Sequence, residues 1–119
     1  MITHLSGTIE EVRLDQATIE VSGVGYSFFA TPTTLSALKV GDQVKLLTYL
    51  VVREDAWILF GFIKPAERDV FSKLISVSGI GPKLALAALA VFTPEELRTV
   101  VSQQDLESLT KITGVGKKS

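Results

Sequence analysis

Apolar and polar positions alternate through the first half of the chain, and the period becomes helical at Lys64-Pro65. Residues 5–14, centred on Thr8-Ile9-Glu10-Glu11-Val12, and residues 17–22, with Thr18-Ile19-Glu20-Val21, read as strands. Gly23-Val24-Gly25 reads as a turn into a third strand, residues 26–30. Residues 32–38 fit a single helical turn. Gly41-Asp42 then leads into a long strand over residues 44–52, and after the polar break Arg53-Glu54-Asp55-Ala56 the run at 57–62 supplies the fifth. Five strands in about sixty residues, with regular turn signals, predict a small closed or partly open barrel of the OB type.

Beyond that point Val70, Phe71, Leu74, Ile75 and Val77 recur at mostly helical spacing, predicting a helix over 66–77. Gly79-Ile80-Gly81 breaks it, and Pro82 opens an alanine- and leucine-rich helix to about residue 91, whose small side chains suit close helix packing. Proline favours the first helical position because its φ is preset and its missing N–H would be unpaired there anyway. Thr93-Pro94-Glu95-Glu96 supplies an N-cap, a first-position proline and an acidic first turn for a helix to about residue 101. A last helix, about 104–111, leads to Gly114-Val115-Gly116. The expected fold is a β barrel plus an all-α part: an OB domain over 1–63, then a domain of two helix–hairpin–helix motifs over 64–119, the second incomplete.

The two glycine bends are copies. Leu109 to Lys118 aligns with Leu74 to Lys83 at a constant offset, sharing an apolar-polar-Gly-(Ile/Val)-Gly-x-Lys pattern. Either bend alone reads equally well as a tight helix–helix turn with a glycine cap. In pairs they suggest more. Gly79 and Gly81, like Gly114 and Gly116, are expected to supply positive φ or a close backbone approach. The helix N-terminus beyond each bend offers backbone N–H groups beside Lys83, or beside Lys117 and Lys118, which is an arrangement suited to phosphate. Two such cradles can each grip a backbone strand of a duplex. By symmetry with residues 82–91, about ten further residues are needed to complete the second motif, so the natural chain is expected to continue past Ser119.

Charge narrows the reading. The net charge is −1, which excludes a uniformly basic nucleic-acid binder. Residues 1–64 hold five Lys/Arg against seven Asp/Glu, whereas residues 65–119 hold seven against six, so any such contact must be local and made from the helical half. The chain has no cysteine and one histidine, His4, which sets aside disulfides, zinc sites and thiol chemistry. No cofactor is called for. Without a signal-peptide pattern or a run long enough to span a bilayer, the expectation is a cytoplasmic protein with no membrane contact.

Two enzymatic readings fare poorly. Gly116-Lys117-Lys118-Ser119 has the ending of a nucleotide P-loop, but that loop needs glycine at 111 and Ser or Thr at 118, where the chain has Lys111 and Lys118. A lysine-dependent DNA glycosylase or lyase would need Lys83 desolvated in a base-flipping pocket, for which about 55 helical residues are too few. Glu54 and Asp55, at the tip between the last two strands, would ordinarily be a solvated turn. Beside phosphate-gripping bends, adjacent acids instead suit a point where strands are pushed apart.

In order and spacing, the Gly-Val-Gly-Tyr turn at 23–26, Val51-Val52-Arg53-Glu54-Asp55-Ala56, Phe60-Gly61-Phe62, Gly79-Ile80-Gly81-Pro82-Lys83-Leu84-Ala85-Leu86 and Gly114-Val115-Gly116-Lys117-Lys118 carry a family likeness. The chain resembles, over all 119 residues, the RuvA family of bacterial Holliday-junction-binding subunits of RuvAB branch-migration complexes. The resemblance implies an OB barrel, two helix–hairpin–helix motifs, then a flexible linker and a third domain that binds and regulates the RuvB ATPase motor. That third domain has no counterpart expected within these 119 residues. A fourfold-symmetric homotetramer is implied, sometimes paired into an octamer, holding a four-way DNA junction as an open square. Carried over, Glu54 and Asp55 form an acidic pin at the centre. Gly79, Gly81, Lys83, Gly114, Gly116, Lys117 and Lys118 hold arm phosphates across the minor groove. RuvC resolvase is a further implied partner, and ATP hydrolysis belongs to RuvB. The alternative is a general OB/helix–hairpin–helix binder of single-stranded or duplex DNA, with Trp57, Phe28 and Phe29 stacking on bases. Aromatics at such strand positions more often fill a core.

Overall fold

The structure is a computed structural model that describes residues 1–76 and 80–103, with the backbone alone for Ser102 and Gln103. Its elements are β1 (His4–Val12), β2 (Gln16–Val21), β3 (Val24–Phe29), α1 (Pro32–Ala37), β4 (Gln43–Val52), β5 (Trp57–Phe62), α2 (Pro65–Ser76), α3 (Pro82–Val91) and α4 (Pro94–Gln103). The chain divides into two compact units, one running from Met1 to Arg68 and one beginning at Asp69. The first turn of α2 belongs with the barrel, where Arg68 Nη1 donates to the Thr3 carbonyl at 3.0 Å.

The strands close in the order β1-β2-β3-β5-β4, with β3 and β5 parallel and every other neighbour antiparallel. This is the expected five-stranded OB-type barrel. Its core takes the inward residues Ile9, Ala17, Ile19, Phe28, Leu46 and Leu59, together with Leu35 of α1 and the following Leu38. Thr31 holds α1 in place: its Oγ1 accepts from the Thr34 N–H at 3.2 Å, a side-chain N-cap. Buried Thr48 fastens β4 to the N-terminal segment, its Oγ1 donating to the Ile2 carbonyl at 2.7 Å and its N–H to the Thr3 carbonyl at 2.9 Å.

Two local features differ from the expected pattern. The turn into β3 consists of Ser22 (φ 50°) and Gly23 (φ 88°), with Val21 opposite Val24 and Glu20 opposite Gly25. Positive φ at both central residues makes a tight hairpin whose twist matches its strands. Gly25 therefore belongs to the strand and not to the turn. In β1 the register slips between Ile9 and Glu11, leaving Glu10 as a bulge. Unbroken alternation would turn Glu11 inward two residues after Ile9. The extra residue instead lets Glu10 and Glu11 both face water and returns Val12 to the core.

In the helical unit α2 buries Val70, Phe71 and Leu74, and α3 buries Leu84, Ala85, Ala88 and Leu89. The spacing along α3 makes one stripe of large and small side chains, and α3 touches α4, whose Leu97 is fully buried. The start of α4 is a reciprocal cap. Glu96 Oε1 accepts from the Thr93 N–H at 2.8 Å, and Thr93 Oγ1 accepts from the Glu96 N–H at 3.2 Å. The expected helix over 104–111 and the second glycine bend lie outside the described residues.

Candidate nucleic-acid interface

The first candidate part is the ribbon formed by β4 and β5. These strands pair from Leu47 opposite Phe62 to Val52 opposite Trp57. Their outer neighbours do not follow them that far. β1 pairs with β4 only through residues 43–47, and β3 meets β5 only at Phe29 opposite Phe60. The hairpin therefore runs on past the barrel rim as a two-stranded ribbon. Gly61 allows this crossing to pack closely: a Cβ there would stand 2.5 Å from Phe28 Cδ2 and 2.8 Å from Leu46 Cδ2.

The ribbon ends in the loop Arg53-Glu54-Asp55-Ala56, closed by the Arg53 N–H donating to the Ala56 carbonyl at 2.8 Å. Glu54 and Asp55 stand together at this tip, both exposed. Among the described residues neither carboxylate has a hydrogen bond or an ion pair, so each faces solvent as an exposed acid. The aromatic residues behave differently from one another. Phe28 is in the core, and Phe29 is half-buried with its ring 5.8 Å from that of Phe60. Trp57, for which a core position is the ordinary expectation, is 73% exposed at the base of the tip.

The second candidate part is the start of α3. Gly81 is the N-cap, and the helix opens with the Ala85 N–H donating to the Gly81 carbonyl at 3.0 Å. Glycine at the N-cap brings no side chain of its own to cap this end. A helix leaves its first N–H groups without intrahelical partners, so the end suits an external acceptor. Lys83 lies exposed in the first turn. Gly81 itself corrects one expectation. Its φ is −91° and its ψ 171°, an extended conformation open to any residue, and among the described residues nothing beyond its chain neighbours lies within 4 Å of a Cβ built on it. Positive φ does not require glycine here, and no described residue crowds the space in front of Gly81.

A family model described as the RuvA N terminal domain matches residues 1–61, which is more than half of the chain. The chain belongs to the RuvA family. A second model, described as a SAM-like helix-hairpin-helix tandem, matches residues 71–119. The chain is 45% identical to the Holliday junction branch migration complex subunit RuvA of Mycolicibacterium smegmatis, over 99% of its own length and 60% of the relative's. It is 50% identical to the proteins of the same description from Pseudarthrobacter chlorophenolicus and Micrococcus luteus, over 99% of its length and 55% of theirs. The chain thus spans a little over half the length of these curated relatives.

For a RuvA-family chain the described residues contain two separate groups of candidates. Glu54 and Asp55 share one loop of the barrel unit, and Gly81 and Lys83 share one helix end of the helical unit. Gly79, Gly114, Gly116, Lys117 and Lys118 lie outside the described residues. Val52 and Trp57, which flank the tip, were not singled out together by the sequence. Their position depends on the register in which β1 and β3 flank the ribbon, for which the sequence carries no local signal. No helix among the described residues is long and apolar enough to cross a membrane.

Proposed function

We propose that this chain is the junction-binding portion of a RuvA-type subunit, holding the arms of a four-way DNA junction without reading their sequence. The observation that carries the reading is the exposed acidic pair Glu54 and Asp55 at the end of a ribbon that leaves the barrel. At about 5 Å from a phosphate, each acid costs on the order of 1 kcal/mol in water-like dielectric and about 3 at an effective value of 20. Such a tip opposes a continuous duplex and tolerates the gap between arms. The grip comes from the helix ends: Gly79, Gly81 and Lys83 at one bend, and Gly114, Gly116, Lys117 and Lys118 at its copy. Their amides and ammonium groups hold phosphates, which position arms without specifying bases.

In this reading the chain carries out no covalent chemistry. It acts in the cytoplasm in recombination and repair, and ATP hydrolysis belongs to a RuvB motor. A homotetramer matches four subunits to four arms and turns modest contacts into avidity. Pairing into an octamer and contact with RuvC extend the same scheme. Neutralising the tip with Glu54→Gln and Asp55→Asn is expected to raise affinity for linear duplex and erode junction preference in a gel-shift competition. Unchanged selectivity would remove the pin from the mechanism.

A further inference from the structure

The far end of the ribbon carries one feature that repulsion by the tip leaves unexplained. Trp57 is the first residue of β5, directly opposite Val52. Strand parity puts it on the same face as Leu59 and Gly61, which meet the core residues Phe28 and Leu46. The inward face of the hairpin therefore continues past the barrel rim. Its last pair, Trp57 at 73% and Val52 at 59% exposed, has no core left to enter. Directly opposed side chains on one face are close neighbours, so Val52 stands beside the indole, most of whose surface is left to solvent.

The chemistry that can meet this indole is narrow. Glu54 and Asp55 repel any phosphate strand brought within a few ångströms, so the sugar–phosphate backbone is a poor occupant. An indole offers a flat, uncharged π-face, on which a nucleobase stacks whatever its identity. Where four arms meet, the last base pair of each arm lacks a stacked neighbour, and its face is available beside the tip. We propose that Trp57 stacks on a base exposed at the crossover, so that the hairpin end repels backbone and captures bases together. This rests on the junction-binding reading above and gives it a contact that a linear duplex, with its bases stacked inside, cannot make.

Trp57 is the only tryptophan in the 119 residues, so its emission reports this contact directly. The whole chain is titrated with a synthetic four-way junction and with a linear duplex of equal arm length. Binding is followed by the anisotropy of an end-labelled DNA, and indole emission is followed with unlabelled DNA. The expected result is quenching that tracks junction binding, with none from the duplex. Trp57→Ala should weaken junction binding about tenfold, as loss of one stacked base does, and leave duplex binding unchanged. Trp57→Phe should retain most of the affinity, which separates stacking from damage to the hairpin. Junction binding by anisotropy with unchanged emission overturns the inference and leaves junction binding standing. Wild-type affinity of Trp57→Ala overturns it too, as does emission that varies with protein concentration before DNA is added, since a second copy then covers the indole. A junction that is not bound at all removes both the proposed function and this contact.

Discussion

At Gly61 a single missing methyl group decides how β5 crosses the core. The motif Phe60-Gly61-Phe62 is visible in the sequence, but its physical requirement is not: it comes from Phe28 on β3 and Leu46 on β4, both distant along the chain. Gly61→Ala would force a Cβ into both side chains, and overpacking of this kind costs about 1–3 kcal/mol. Denaturant unfolding should show the midpoint falling by a corresponding amount with an unchanged slope. Gly81 is the contrasting case. Its pattern in the sequence suggests backbone need, yet its dihedrals and surroundings would accept a side chain. Alanine there would meet no described residue beyond its chain neighbours, and no reading of one chain's residues separates a demand of the fold from a demand of a ligand.

At the scale of elements, legibility followed how local each determinant is. Strand alternation and the helical period from Pro65 onward depend on near neighbours, and the elements begin and end close to where those patterns do. Thr93 and Glu96 show the same at finer grain. The cap is written in four consecutive residues and appears as two reciprocal bonds. Thr93→Ala should destabilise the helical unit by about 1 kcal/mol, the usual worth of an N-cap, read as a lower thermal midpoint. The bulge at Glu10 was less legible because it balances two tendencies, strand pairing and the cost of turning Glu11 inward. Least legible was the exposure of Trp57. Alternation assigns it to the inner face, correctly, but whether that face has anything to cover it depends on how far β1 and β3 extend beside the ribbon.

For the whole molecule, charge is the property that sequence alone bounds and structure distributes. The net charge of −1 allows no general attraction for DNA, so under the proposed function affinity has to come from a few phosphate contacts opposed by the tip. With about four such contacts per chain, the logarithm of junction affinity should fall against the logarithm of salt with a slope near −3 to −4. Anisotropy titrations across salt concentrations test this, and a flat response would contradict phosphate gripping. The candidates for that grip are split between Gly81 and Lys83, whose setting is described, and the lysine-rich end of the chain, where the repeat pattern is the whole basis.

The ribbon that leaves the barrel has a cost of its own. Closure spares the other strands an open edge, but, among the described residues, 50–52 and 57–59 run without an outer partner strand, and bare backbone of that kind invites a second molecule to zip on. Charge at the end of a short ribbon discourages such pairing, because two copies would bring four carboxylates together. Removing both acids lifts that guard, and clumped protein would retain duplex in a gel well whatever its tip had been doing. Light scattering therefore belongs beside the competition assay, so that stickiness is not mistaken for altered choice of DNA.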